Sequence, residues 1–190
     1  MGRVTIVSDS VDRVLTSLKE LTGKEVLVGI PESETERDDS APITNAALGY
    51  IHEFGSPPAN IPARPFLIPG VRAVEDKAVA ELQKAADAAL SRDTEKATQH
   101  MERAGLIGEI GAKDAISNGA FVPLQPGTIE ERYRDRRTQT RRQDEEHYLA
   151  LVKDGMSPEG AQNATGIRPL VNTGQLRNSL THVVRRKRRM

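Results

Sequence analysis

The stretch YIHEFGSPPANIPARPFLIPG, residues 50–70, places prolines at 57, 58, 62, 65 and 69. Each proline fixes φ at about −65° and removes a backbone donor. A helix interior and a central strand are both closed to such a segment. The elements before and after it must therefore be separate. Gly55 lets the chain turn sharply out of the helix that precedes it. Phe66 and Leu67 offer apolar side chains for docking, and Arg64 offers a fork that matches a carboxylate. Two uses suit such a segment. One is a stiff connector that packs Phe66 under the next helix. The other is an extended arm that meets another subunit.

The flanking sequence supplies the elements to be connected. GRVTIV (2–7) reads as a short strand, and SDSVDRVLTSLKELTG as a helix. Asp9 or Ser10 is its cap, Val11, Val14, Leu15 and Leu18 its apolar face, and Gly23 its stop. KEVLVGIP (24–31) is a strand closed by Pro31. ITNAALGYIHEFG (43–55) is a helix with Ile43, Ala47, Tyr50, Ile51 and Phe54 on one side. Residues 71–119 form a long helical region, with a break near Arg92–Asp93 and Asp93 or Thr94 capping its second part. Gly105, Gly108 and Gly111 fall three apart there. Glycine costs about 1 kcal/mol against alanine inside a helix. The three mark either a close helix–helix approach or a bend or end. AFVPLQPGTIEERYRD (120–135) turns at Pro126–Gly127 into a short helix capped by Thr128. PLVNTGQLRNSLTHVVRRKRRM (169–190) reads as a turn, a short helix capped by Thr173, a strand over SLTHVV, and a basic tail. The expected architecture is one α+β domain over 1–190. A small, mainly antiparallel sheet packs with a few helices, one helical region being long, and loops and arms project from it. The projections are a mobile acidic loop (32–42), a long insertion (136–166) whose helical piece is Glu145 to Lys153, and the tail (185–190).

The material for a core is thin. Apolar residues make up 37% of the chain, against a usual share of about 45–50%. There is no tryptophan. Burial against other copies would supply what the chain lacks. Residues 1–120 hold 13 Lys and Arg against 19 Asp and Glu, net −6, and residues 121–190 hold 14 against 8, net +6. Opposite charge on two halves suits a head-to-tail contact between copies, which closes into a ring when the rotation permits.

Several chemistries lack their residues. With no cysteine, disulfides, thiolate metal sites and a cysteine nucleophile are excluded. His52–Glu53 opens like a zinc-protease motif, but the second histidine one turn later is replaced by Ser56. His52, His100, His147 and His182 are scattered, and none sits at ligand spacing to another. No serine lies in a nucleophile-elbow context, and GLIGEIG lies within helical pattern rather than after a strand. No cofactor and no metal are expected. The N-terminus has no signal-peptide h-region and no myristoylation pattern. No run approaches the ~18 apolar residues of a membrane span. A protein made in a cytosol and acting without a membrane is expected.

Three segments, in order, carry a resemblance. YIHEFGSPPANIPARPFLIPG resembles a helix ending in His-Glu-Phe-Gly followed by Ile-Pro-x-Arg-Pro-Phe-Leu and a long helix. FVPLQPGTIEER is similar to a Pro-Leu-x-Pro-x-Thr-Ile segment, and PLVNTGQLRNSLTHVV to Pro-Leu-x-x-Thr-Gly-x-Leu-x-x-Ser-Leu. KEVLVGIP resembles the strand before the first motif. These are features of tail-completion and virion-morphogenesis proteins of tailed bacteriophages, and they span about residues 24–185. The chain departs from the pattern where Trp often precedes Pro-Leu, having Phe121–Val122, and its 32–42 and 136–166 segments are long. The resemblance implies a structural virion protein of the neck or tail top rather than an enzyme. Assembled in the host cytoplasm, it would form a ring that completes the tail and helps join it to the DNA-filled head. Its partners would be itself and other neck, connector and tail proteins.

Contact residues on this reading are His52, Glu53, Phe54, Gly55, Arg64, Pro65 and Phe66, with Thr173, Gly174, Leu176 and Ser179 shaping the C-terminal turn. Arg185, Arg186, Lys187, Arg188 and Arg189 would face an acidic partner or enclosed DNA. Two rivals stand beside it. RYRDRRTQTRR (132–142) and RRKRR (185–189) suit a nucleic-acid-binding accessory protein, although charge runs are often only solvated faces. A hydrolase site assembled in space around His52 and Glu53 is the other.

Overall fold

The computed structural model describes residues 11–31, 43–134 and 142–187. The expected strand at 2–7, the cap at Asp9 or Ser10, the acidic loop 32–42, and Arg188 and Arg189 lie outside these residues. Helix α1 (Val11–Thr22) leads through Gly23 into strand β1 (Lys24–Gly29). Helix α2 is Asn45–Phe54, α3 Leu67–Ala73, α4 Glu75–Leu90, α5 Thr94–Asn118 and α6 Pro126–Arg134. Then come α7 (Arg142–Lys153), α8 (Pro158–Thr165), α9 (Gln175–Asn178) and strand β2 (Thr181–Arg186). The class is α+β. Among the described residues the sheet has two antiparallel strands, paired from Lys24↔Arg186 to Gly29↔Thr181.

Helix α5 is the backbone of the fold. The Asp93 side chain accepts the Lys96 N–H at 2.9 Å and starts the helix after the turn that ends α4, as the sequence requires. Helices α4 and α5 pack through small residues, Ala88 and Ala89 against Ala97. His100 Nδ1 lies 2.7 Å from Glu81 Oε2 and ties the pair together. Hydrogen bonds from Lys84 and His100 hold the Glu81 carboxyl down at about 2.

The α5 glycines resolve the choice between approach and bend. The helix runs unbroken, and each glycine receives a neighbour. A Cβ on Gly105 would meet the His182 ring at 2.5 Å and one on Gly108 would meet Val28 at 2.9 Å, so the sheet lies on this face. At Gly111 the neighbour is α3, where a Cβ on Gly70 would lie 2.6 Å from the Gly111 carbonyl. Only one of the three approaches is helix to helix. Glu109 secures β2 to the same face, 2.6 Å from both His182 Nδ1 and Lys113 Nζ. Burial pushes the Glu109 carboxyl up, but the hydrogen bonds from Lys113 and His182 outweigh it and hold the group below its usual range.

The main core joins Phe66, Ala112, Ile116, Leu170, Leu176 and Leu180. A second core joins Leu124, Ile129, Tyr148, Ala161 and Ile167. The region read as an insertion therefore contributes packed helices. Helix α7 begins three residues before the expected start, and α8, capped by Ser157 with Pro158 in its first turn, was not foreseen. Tyr148 Oη donates to the Leu124 carbonyl at 3.1 Å. Helix α1 departs from its expected face. Its buried residue is Ser17, Leu21 packs on Ala88, Ala89 and Ala97, and Val11 and Leu15 are exposed. A small side chain suits the close approach to the alanine surface of α4 and α5.

Candidate assembly surface

The proline-rich segment folds back on itself rather than extending as an arm. Gly55, at φ 78°, ends α2, and a Cβ there would meet Ile61 O and Ala63 N at 3.0 Å. Ser56 and Ile61 then pair through two backbone bonds of 2.9 and 3.0 Å around a 3-10 turn at Pro57–Ala59. The Arg64 N–H donates to the His52 carbonyl at 2.6 Å and closes the loop onto α2.

The face that α2 turns inward is the opposite of the apolar one. Asn45, Gly49 and Glu53 are buried, while Tyr50 and Phe54 are 67% and 58% exposed. The cause is the demand of the next element. The Glu53 carboxylate accepts three backbone N–H groups at the start of α3, from Phe66 and Leu67 at 2.8 Å and Ile68 at 3.0 Å. A helix start leaves such donors orphaned, and a carboxylate also complements its dipole. Gly49 leaves room for Ile30 and the Phe66 ring.

Arg64 departs from its expected carboxylate partner. Its Nε donates to the Val122 carbonyl at 2.9 Å and its Nη2 to that of Pro123 at 3.3 Å. Two of the segments that carry the family resemblance are thereby joined. The third joins them at Pro169, whose carbonyl accepts from Arg132 at 3.1 Å. All three border one open cleft of about 560 Å³, with His52, Arg64, Pro123 and Arg132 on its walls. Burial, Arg64 and Arg132 hold the His52 imidazole down at about 4, so it is neutral at pH 7. Its Nδ1 is buried and has no hydrogen-bond partner among the described residues.

The expected contact residues divide into two groups. Glu53, Arg64, Phe66, Leu176 and Ser179 lie inside the chain. They shape the surface rather than form it, because their side chains are buried. Ser179 Oγ donates to the Leu176 carbonyl at 3.0 Å, and Gly174, at φ 81°, is the residue that precedes α9. Thr173, expected as that cap, is one residue early and accepts from Gln175 N at 3.4 Å. Phe54, Pro65 and Thr173 are exposed, and His52 is half-buried.

Sequence reasoning named Phe54 as a contact residue but not the other apolar members of its surface. The Tyr50 and Phe54 rings lie 4.8 Å apart, and with Ile68 they border a small apolar depression of about 230 Å³. Leu67 and Ile68 also border an adjoining groove of about 480 Å³, flanked by Leu27 of β1 and by Val79 and Leu82 of α4. All of these except Leu67 are exposed large apolar residues. The signal was present at positions 50 and 54, which the sequence puts on one apolar side of α2, with Phe54 among the expected contact residues.

No family model, curated protein or solved structure matches this chain.

The basic end is partly structural. Arg185 and Arg186 belong to β2, and Arg185 Nε donates to Glu25 Oε1 at 2.9 Å across the sheet. Arg186 and Lys187 border an open depression with Lys19 and Lys24, and with the acids Glu20 and Glu95. Among the described residues no group of His, Asp and Glu could hold a metal ion, and no helix is long and apolar enough to cross a membrane.

Proposed function

We propose that this chain is a structural virion protein of the phage neck or tail top. It forms a ring-like oligomer that completes the tail and helps join it to the DNA-filled head. The observation that carries the reading is the continuous exposed apolar surface of Tyr50, Phe54, Ile68, Val79 and Leu82. Monomeric proteins rarely leave a large contiguous patch of this kind uncovered, and a rim of polar residues around such a patch marks an interaction surface. Thin intrinsic core material and opposite charge on the two halves agree with copies burying surface on one another.

Electron microscopy of purified tails, incubated with the protein, tests the reading. A ring of added density at the head-proximal end of the tail supports it. Bare tail ends at saturating protein reject it.

The alternative is a nucleic-acid-binding accessory role. The depression bordered by Lys19, Lys24, Arg186 and Lys187 favours it, while the Arg185–Glu25 bond and the acids beside that depression weaken it. Phosphate binding there would fall steeply with salt. DNA retention that is absent at low salt removes this alternative.

A further inference from the structure

We propose that the cleft between the proline-rich segment and residues 122–132 is a socket for a carboxylate side chain of a neighbouring copy of this chain. The inference rests on the assembly reading above and names the contact that reading requires.

Arg64 is the first observation. It is 5% exposed, and among the described residues it has no ion-pair partner. Buried cations are ordinarily paired, because taking a charge out of water is costly. Arg64 uses only two of its five N–H donors, both on neutral carbonyls. The rest of its fork is matched to a carboxylate.

His52 is the second, independent observation. It lines the same cleft and carries a buried ring nitrogen with no partner among the described residues. A carboxylate placed in this cleft lies beside the neutral His52 ring and faces two guanidinium groups, those of Arg64 and Arg132. None of the described residues lining the cleft is acidic.

The shape selects the source. Pro57, Pro62 and Pro123 wall the cleft, and their fixed backbones make those walls stiff and partly apolar. An acidic side chain on a protein surface reaches a guanidinium this deep, whereas the phosphates of a duplex lie on a broad convex cylinder. The required acids are abundant on the same chain, since residues 1–120 carry net −6 while Arg132 belongs to the half with net +6. The proline loop that walls the cleft follows directly after Phe54 in the chain.

The test compares wild type, Arg132→Glu and His52→Gln by light scattering over a concentration series, with thermal melts to confirm folding. Free succinate and inorganic phosphate serve as probes. The expected result is that Arg132→Glu raises the concentration needed for assembly by at least about tenfold. Succinate should do the same to wild type beyond an equal ionic strength of sodium chloride, and should shift the His52 imidazole resonances. If Arg132→Glu does not fold, His52→Gln decides, with a smaller shift in the same direction. Wild type and both variants assembling alike, or phosphate moving His52 while succinate does not, overturns the socket and leaves the assembly reading standing. A wild-type protein that stays single-chain alone and on tails overturns both.

Discussion

The Glu53 carboxylate and the Phe66 amide are hydrogen-bonded at 2.8 Å, thirteen residues apart in sequence. The same carboxylate holds Leu67 and Ile68. One side chain at the end of α2 therefore fixes where α3 begins and places Phe66 in the core. Glu53→Ala leaves three donors without their acceptor. Hydrogen bonds to a charged group are worth about 1.5–3 kcal/mol each in net terms and are not additive, so a loss of about 3 kcal/mol is expected. Urea unfolding of Glu53→Ala and Glu53→Gln checks this, with Gln retaining part of the loss because one acceptor oxygen survives.

The contact between α3 and α5 depends on two glycines. A Cβ on Gly70 would fall 2.6 Å from the Gly111 carbonyl and 2.7 Å from Ala112 Cα. Backbone cannot swing aside as a long side chain can. Gly70→Ala should therefore destabilise by about 2 kcal/mol, the range of overpacking, despite the better helix propensity of alanine. Gly127→Ala is the control, since nothing lies within 4 Å of its Cβ position. Melting temperatures of the two variants should differ clearly.

His52 gives the fold a pH dependence with a defined sign. Its pKa is lowered to about 4 in the folded chain from an ordinary 6.5, by burial first and then by Arg64 and Arg132. The unfolded chain therefore binds the proton more readily across that interval. The contribution to stability is complete above pH 6.5 and declines as pH falls towards 4, by about 1.4 kcal/mol per unit and on the order of 3 kcal/mol in all. His52→Gln should flatten that part of the stability profile. An unchanged slope between these pH values would mean that the imidazole is not held neutral.

Much of the scaffold was legible because its signals are local. Gly23 and Gly55 end helices, Asp93 starts one, and β-branched runs at 24–29 and 181–186 pair. Even α8 had a readable start in Ser157–Pro158. What was not legible depended on partners distant in sequence. Helical periodicity put Tyr50 and Phe54 on one side of α2 without fixing which way that side faces. Glu53 faces inward to cap α3, and that turns the aromatic rings outward. Arg64 pointed to a carboxylate, but the carbonyls of Val122 and Pro123 reach it only through the fold.

The outward rings carry a separable prediction. Phe54 is exposed, and its ring contact among the described residues is with Tyr50. Phe54→Asp should leave stability within about 0.5 kcal/mol of wild type, as for other exposed positions. It should nevertheless weaken self-association. Paired melts and mass measurements on the same samples separate the two effects.

The most direct test of the account is the solution mass of the wild-type protein by light scattering over a concentration series, alone and with purified tails. The account predicts a closed oligomer of several chains, formed with rising concentration or on addition of tails. A single-chain mass at every concentration, unchanged by tails, would contradict it.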